Sequence, residues 1–298
     1  MAVSFHELLA QYEQWLRVER NLSERTRRAY VYDLTRLGEF LTVLRGRLPR
    51  PDQVSTEALR EYLNHLQLER ACKATTLART ISSIRGFFDF AVERAVVEIS
   101  PAARLRTPKQ PRKLPVYLVA REVARLLEAP DRTDPKGARD RAIMTLLVFT
   151  GLRLSELVSI NLRDLDLINR TLRVLGKGRK ERLVPLNDPV LEAAGDWLQA
   201  RPIGDSQALF LNRFGRRLTG RSVENIVRHY ALKAGIFKDG ISPHKLRHTF
   251  ATMLHASEVD LIEIQSLMGH ASIASTQIYT HTSPGRLHAA VRKLDKLA

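Results

Sequence analysis

The chain has 298 residues, enough for two ordinary domains that each bury a core, and its 44% hydrophobic and 27% charged residues are those of a soluble globular protein. A single cysteine, Cys72, excludes an internal disulfide and fits a reducing cytoplasm, while the longest nearly apolar run, AIMTLLVFTGL (142–152), is too short to span a membrane. Forty-eight Lys and Arg against 32 Asp and Glu leave a formal charge of +16, a field that favours a polyanionic partner, nucleic acid first among them.

The first hundred residues read as helices only. At the N-terminus, MAVSFHELLAQYE has neither the basic start nor the apolar core of a secretory signal. Instead, Ser4 and Glu7 form a capping box, and Phe5, Leu8, Leu9, Tyr12 and Leu16 follow at helical spacing. A second helix starts at Ser23 and carries Tyr30, Leu34, Leu37 and Leu41, and a third follows Ser55 with Leu59, Tyr62, Leu63 and Leu66 inward. A fourth runs from Thr75 with Leu77, Ile81, Ile84 and Phe88 on its apolar side. Its other faces show Thr76, Arg79, Thr80, Ser83 and Arg85, short hydroxyls among arginines that suit a DNA groove and equally suit a solvated surface.

The prolines and basic residues of SPAARLRTPKQPRKLPVYL (100–118) mark an extended linker, centred on residues 107–115. It divides a helical domain, 1–106, from a second domain, 116–298. Both domains and the linker carry a basic excess, so all three could touch one duplex. The second domain is mainly helical, with helices expected near 120–129, 139–150, 155–160, 188–200, 220–235, 243–256, 260–267 and 272–280. Between them DLDLINRTLRVLGKGRKERLVPL (164–186) alternates, with turn signals at Asn169-Arg170 and Gly176–Arg179, and predicts a small three-stranded antiparallel sheet.

Four places in this domain hold candidate chemistry. TGLRLSEL (150–157) puts Arg153 just past the end of a buried helix, with Glu156 as the nearest partner for its charge. LGKGRKERL (175–183) is a glycine-rich hairpin tip bearing Lys177, which alone reads as a solubilising lysine. SPHKLRHTFAT (242–252) places Ser242 as N-cap and Pro243 at N1, so His244 lies in a first turn whose free N–H groups attract anions and disfavour imidazolium. Arg247 follows one turn along. His244 and His248 have the spacing of two zinc ligands, but Lys245 stands where a metalloprotease helix needs glutamate, so no metal is expected and His248 reads as a hydrogen-bonded interior histidine. Finally, LMGHASIASTQIYTH (267–281) carries His270 and Tyr279, and Tyr279 alone reads as readily as a core or surface residue.

Taken together, TGLRxSEL, GKGxKxRxVPL, HxLRHTFAT and LGHxSxxxTxxYTH resemble the recognition words of the tyrosine recombinase (lambda-integrase) family, and within it the Xer-type recombinases; Met268 replaces a commoner leucine. The resemblance covers essentially the whole chain. It implies a helical, SAM-like core-binding domain and a mixed α/β catalytic domain that clamp DNA. It further implies Tyr279 as nucleophile forming a 3′-phosphotyrosyl link, His244 as its base, Arg153, Arg247 and His270 on the phosphate, Lys177 as acid, and Glu156 orienting the arginine and histidine side chains. DNA contacts are expected from Thr76, Arg79, Thr80 and Arg85.

No cofactor is implied. The implied partners are a double-stranded recombination site, a homotetramer or a heterotetramer with a paralogous recombinase on two duplexes, and a DNA translocase as activator. The tail, with Leu287, Val291 and Leu294 on one stripe, is expected to pack into a neighbouring subunit or else onto its own domain. Resolution of chromosome or plasmid dimers is the leading role; a mobile-element integrase, a type IB topoisomerase and a non-catalytic DNA-binding protein are the alternatives.

Overall fold

The computed structural model describes residues 3–108, 116–176 and 181–269, together with 289, 291, 292, 294 and 295. The chain divides into two compact units, Met1–Lys113 and Leu114–Ala298.

In the first unit four helices, α1 (Phe5–Val18), α2 (Glu24–Arg45), α3 (Thr56–Leu68) and α4 (Ala74–Glu93), pack around one apolar core. The capping box forms as the sequence requires: Ser4 Oγ accepts from Glu7 N at 3.2 Å, and Glu7 Oε2 accepts from Ser4 N at 2.8 Å. The apolar stripe of α1 then meets that of α4 through rings, with Phe5 and Tyr12 at 5.0 and 5.6 Å from Phe87. One stretch differs from the sequence reading: Pro51–Gln53 forms a 3₁₀ turn. Ala102 and Leu105, near the end of the expected first domain, are buried in this core.

The second unit is built on α6 (Pro135–Thr150), buried from Gly137 to its end except for Arg139. It begins four residues earlier than its apolar run suggests, because Asp134 accepts from Gly137 N at 3.2 Å and Pro135 occupies N1. Around it lie α5 (Ala120–Glu128), α7 (Leu154–Ser159), α8 (Asp188–Ala200), α9 (Gly220–Lys233), α10 (Pro243–Ala256) and α11 (Leu261–Met268). The predicted sheet is present as β1 (Leu165–Asp166), β2 (Thr171–Leu175) and β3 (Glu181–Pro185), antiparallel in that order. Leu118 is buried in this unit and its N–H donates to Thr249 Oγ1 at 3.0 Å. The helix expected at 272–280 lies outside the described residues.

Val291 and Leu294 are buried in the core of the second unit, as the second of the two expectations for the tail has it. Leu287 lies outside the described residues. No helix among the described residues is long and apolar enough to cross a membrane.

Candidate active site

The site grows from two helix ends. α6 stops at Gly151 (φ 61°) and α11 stops at Gly269 (φ 60°), both in the left-handed conformation that glycine adopts without strain. At Gly151 a Cβ would also come within 2.4 Å of the Phe250 ring, so the chain there has no room for any other residue. Helix C-termini present carbonyl oxygens and partial negative charge, and cations are stabilised beside them.

Arg247 fills the space between these two ends. It is 5% exposed, and its guanidinium donates to Gly151 O and, at 2.6 Å, to Met268 O. Burial, followed by the neighbouring cation Arg153, pushes its pKa down to about 10, with Glu156 opposing, so the group stays charged at neutral pH. Arg153 is more open. Its Nη2 donates to the next carbonyl, Gly269 O, at 2.9 Å, and its Nη1 to Glu156 Oε1 at 2.9 Å. Two guanidinium groups therefore converge on the successive carbonyls of residues 268 and 269.

Glu156 is the anchor beneath them. It caps the start of α7 by accepting from Arg153 N at 2.8 Å, and it is 3% exposed. Its second partner among the described residues is Arg182 of β3, which forks onto both carboxylate oxygens at 2.8 and 2.9 Å. Burial raises the carboxyl, but the bonds from Arg182 and the Arg153 backbone outweigh it and hold the pKa at about 2. Arg182 is the partner of Glu156 that the sequence reading missed. Its strand register offered a signal, since it pairs with the buried Val174 and alternates with the buried Val184 on the inward face.

His244 lies where Ser242 and Pro243 place it, exposed in the first turn of α10 and three residues before Arg247. Ser242 makes no side-chain cap there, so the first-turn amide of His244 is not capped by it. His248 is half-buried and packs edge-on against Tyr117 at 6.3 Å. Burial, with Lys245 and His244 adding to it, lowers its pKa. No group of three or more His, Cys, Asp and Glu with metal-site geometry occurs among the described residues. Lys177, His270 and Tyr279 lie outside the described residues, so the site is seen from its arginine and carboxylate side.

In the first unit the four expected DNA contacts separate. Thr76 is partly exposed and Arg79 is exposed, pairing with Asp33 at 3.0 Å. Thr80 is 2% exposed and Ser83 is fully buried, both turned toward Asp33, so Thr80 is corrected from a groove contact to an interior hydrogen-bond donor. Arg85 is half-buried and donates to Leu105 O, holding the 101–108 segment against α4.

Comparison with known proteins shows the family of the chain. Residues 117–286 match the phage integrase family, and residues 9–95 match the phage integrase N-terminal SAM-like domain. The chain belongs to the phage integrase family, among the Xer-type tyrosine recombinases. It is 37% identical to tyrosine recombinase XerD of Staphylococcus epidermidis, covering 94% of this chain and 95% of that protein. It is 38% identical to tyrosine recombinase XerC of Pelotomaculum thermopropionicum, covering 94% of each. Among solved structures, the post-cleavage complex of XerH site-specific recombinase with palindromic difH substrate matches with a TM-score of 0.71 and 26% identity, over 95% of this chain and 83% of that one. A lambda integrase dimer bound to a COC' core site shares the fold, with a TM-score of 0.69 and 21% identity over 91% of this chain and 96% of that one.

Proposed function

We propose that the protein is a site-specific recombinase that cuts and rejoins DNA through a covalent bond between Tyr279 and a backbone phosphate. The observation that carries this reading is the convergence of Arg153 and Arg247 on two adjacent carbonyl oxygens above the ionised Glu156. Donors aimed in this way suit the equatorial oxygens of a phosphodiester, on which negative charge builds during transfer.

In the forward step the Tyr279 oxygen bonds to phosphorus and the bond to the 5′ oxygen breaks. The phenolic proton passes to His244, since a phenol near pKa 10 is mostly protonated at neutral pH. Lys177 protonates the leaving 5′ oxygen, and His270 adds a hydrogen bond to the phosphate. Rejoining is the reverse attack by a 5′-hydroxyl, with the bond energy kept in the phosphotyrosyl ester, so neither ATP nor a cofactor is needed. The chain's own cations supply the charge that a divalent ion supplies in many nucleases.

The two units, 1–106 and 116–298 joined by 107–115, would close around a duplex, with Thr76, Arg79 and Arg85 near its backbone. Strand exchange between two duplexes calls for four protomers, all of this chain or shared with a paralogous partner. Resolution of chromosome or plasmid dimers in the cytoplasm, with a DNA translocase as activator, is the role this supports best.

The test begins by trapping covalent protein–DNA links on host genomic DNA and mapping their positions. A nicked duplex built on a mapped site should then trap the wild-type protein, while Tyr279→Phe should bind it equally and trap nothing. Persistent trapping by that variant would assign the nucleophile elsewhere. Plasmid relaxation without strand exchange would instead favour a topoisomerase.

A further inference from the structure

We propose that Arg182 is a positioning residue of the phosphate pocket: by sharing the carboxylate of Glu156 it keeps the guanidinium of Arg153 free to act on the DNA phosphate. The proposal rests on the reading that Arg153 holds that phosphate.

The geometry is specific. Glu156 has two oxygens and receives four donors: the two Nη of Arg182 at 2.8 and 2.9 Å, Arg153 Nη1 at 2.9 Å and Arg153 N at 2.8 Å. One negative charge is thus divided between two cations, and the three groups together carry a net positive charge. Arg182 lies behind and Arg153 in front, since their side chains are 17% and 37% exposed. Arg182 also lies against Gly269, where a Cβ would meet its Cζ, Nε and Nη1 at 3.0 Å, while the carbonyl of that glycine accepts from Arg153. It therefore touches both groups that orient Arg153 without standing at the open side itself.

Without Arg182, Glu156 would have a single cationic partner in a buried setting, where Coulomb attraction is strong. The carboxylate would turn fully toward Arg153, neutralise it, and draw its fork away from the phosphate. Removing the carboxylate as well would release Arg153 again. A side chain that merely supported the fold would give the opposite result, because a second deletion in one network would add to the damage.

The test uses the full-length protein and the mapped nicked duplex at saturating concentration, reading the rate of covalent complex formation beside the affinity for the same duplex. Arg182→Gln should slow trapping by about 10- to 100-fold with binding nearly unchanged, a fraction of what losing a direct donor costs. Adding Glu156→Gln to that variant should recover about tenfold. Wild-type speed in Arg182→Gln, or a double variant slower than the single, would overturn the proposal.

If Arg182→Gln fails to fold, Arg182→Lys carries the test. It keeps the charge but loses the fork, so it should trap about 3- to 10-fold more slowly than wild type at equal affinity; equal speed would overturn the proposal. No trapping by the wild-type protein would bring down the recombinase reading together with this proposal. Normal trapping with no effect at Arg182 would overturn this proposal alone.

Discussion

Asp33 in the first unit and Glu156 in the second are both buried carboxylates facing arginines, and they settle in opposite states. In the first unit Asp33 faces the exposed Arg79 with help from Ser83 and Thr80, yet burial wins and its pKa is raised. In the second unit Glu156 is just as buried, but two guanidinium groups and a backbone N–H hold its pKa at about 2. The difference lies in the number and solvation of the donors. One half-solvated cation does not repay the desolvation of a carboxylate, whereas a fork, a second guanidinium and an amide do. The first arrangement fastens α2 to α4; the second is an electrostatic platform that stays charged beneath the proposed phosphate site.

Removing the platform's charge should show the largest effect. Glu156→Gln leaves Arg153 and the mostly buried Arg182 without a counter-charge, so the full-length protein should lose about 3 kcal/mol in denaturant unfolding at pH 7. The pH dependence sharpens this. The folded pKa of Glu156, about 2, lies below its ordinary value of 4.5, so its contribution is fully present above pH 4.5 and fades as pH falls toward 2. The stability gap between wild type and Glu156→Gln should therefore be constant from pH 5 to 7 and narrow below 4.5. A gap that stays constant down to pH 3 would mean the carboxylate is not held ionised by the arginines.

Much of this was legible in the chain. Ser4 with Glu7 and Ser55 announce helix starts because capping is a local matter of a few backbone groups, and Pro243 marks the first residue of α10 by its fixed φ. The alternation of residues 164–186 likewise announces the sheet. What escaped is set by tertiary contact. Thr80 and Ser83 read as surface hydroxyls, but a buried Asp33 from another helix, 47 and 50 positions away, turns them inward. Arg182 looked like one more base on a basic hairpin, since only the folded sheet sets it against Glu156, 26 residues earlier. The depth of Arg247 was equally hidden, because the carbonyls that make its burial tolerable belong to two other helices. Lys177, His270 and Tyr279 were found by the words around them, and their placement lies outside the described residues.

On the other side of the comparison the effects should be small. Asp33→Asn should change stability by less than about 1 kcal/mol at pH 7, because its cationic partner among the described residues, Arg79, is solvated. The sign of its pH dependence is reversed. A folded pKa raised above the ordinary 3.8 means that the ionised form costs stability, a cost relieved as pH falls through the raised value. The wild type should therefore gain on Asp33→Asn in mildly acid solution, where it loses on Glu156→Gln. Matching slopes in the two variants would erase the distinction drawn between the two carboxylates.

Arg79 is the most delicate case, because it belongs to the fastening and also faces outward. An exposed guanidinium whose partner carboxyl has its pKa raised by burial is cheap to redirect toward a phosphate. If it makes one such contact, Arg79→Ala should flatten the slope of log K against log salt by about 0.9 and weaken binding evenly across sequences. Covalent trapping at saturating DNA should stay at the wild-type rate, since the residue lies in the other unit from Glu156 and its arginines. An unchanged salt slope would return Arg79 wholly to the fold. A loss confined to one DNA sequence would make it a reader of bases, held in place by Asp33 as firmly as Arg153 is by Glu156.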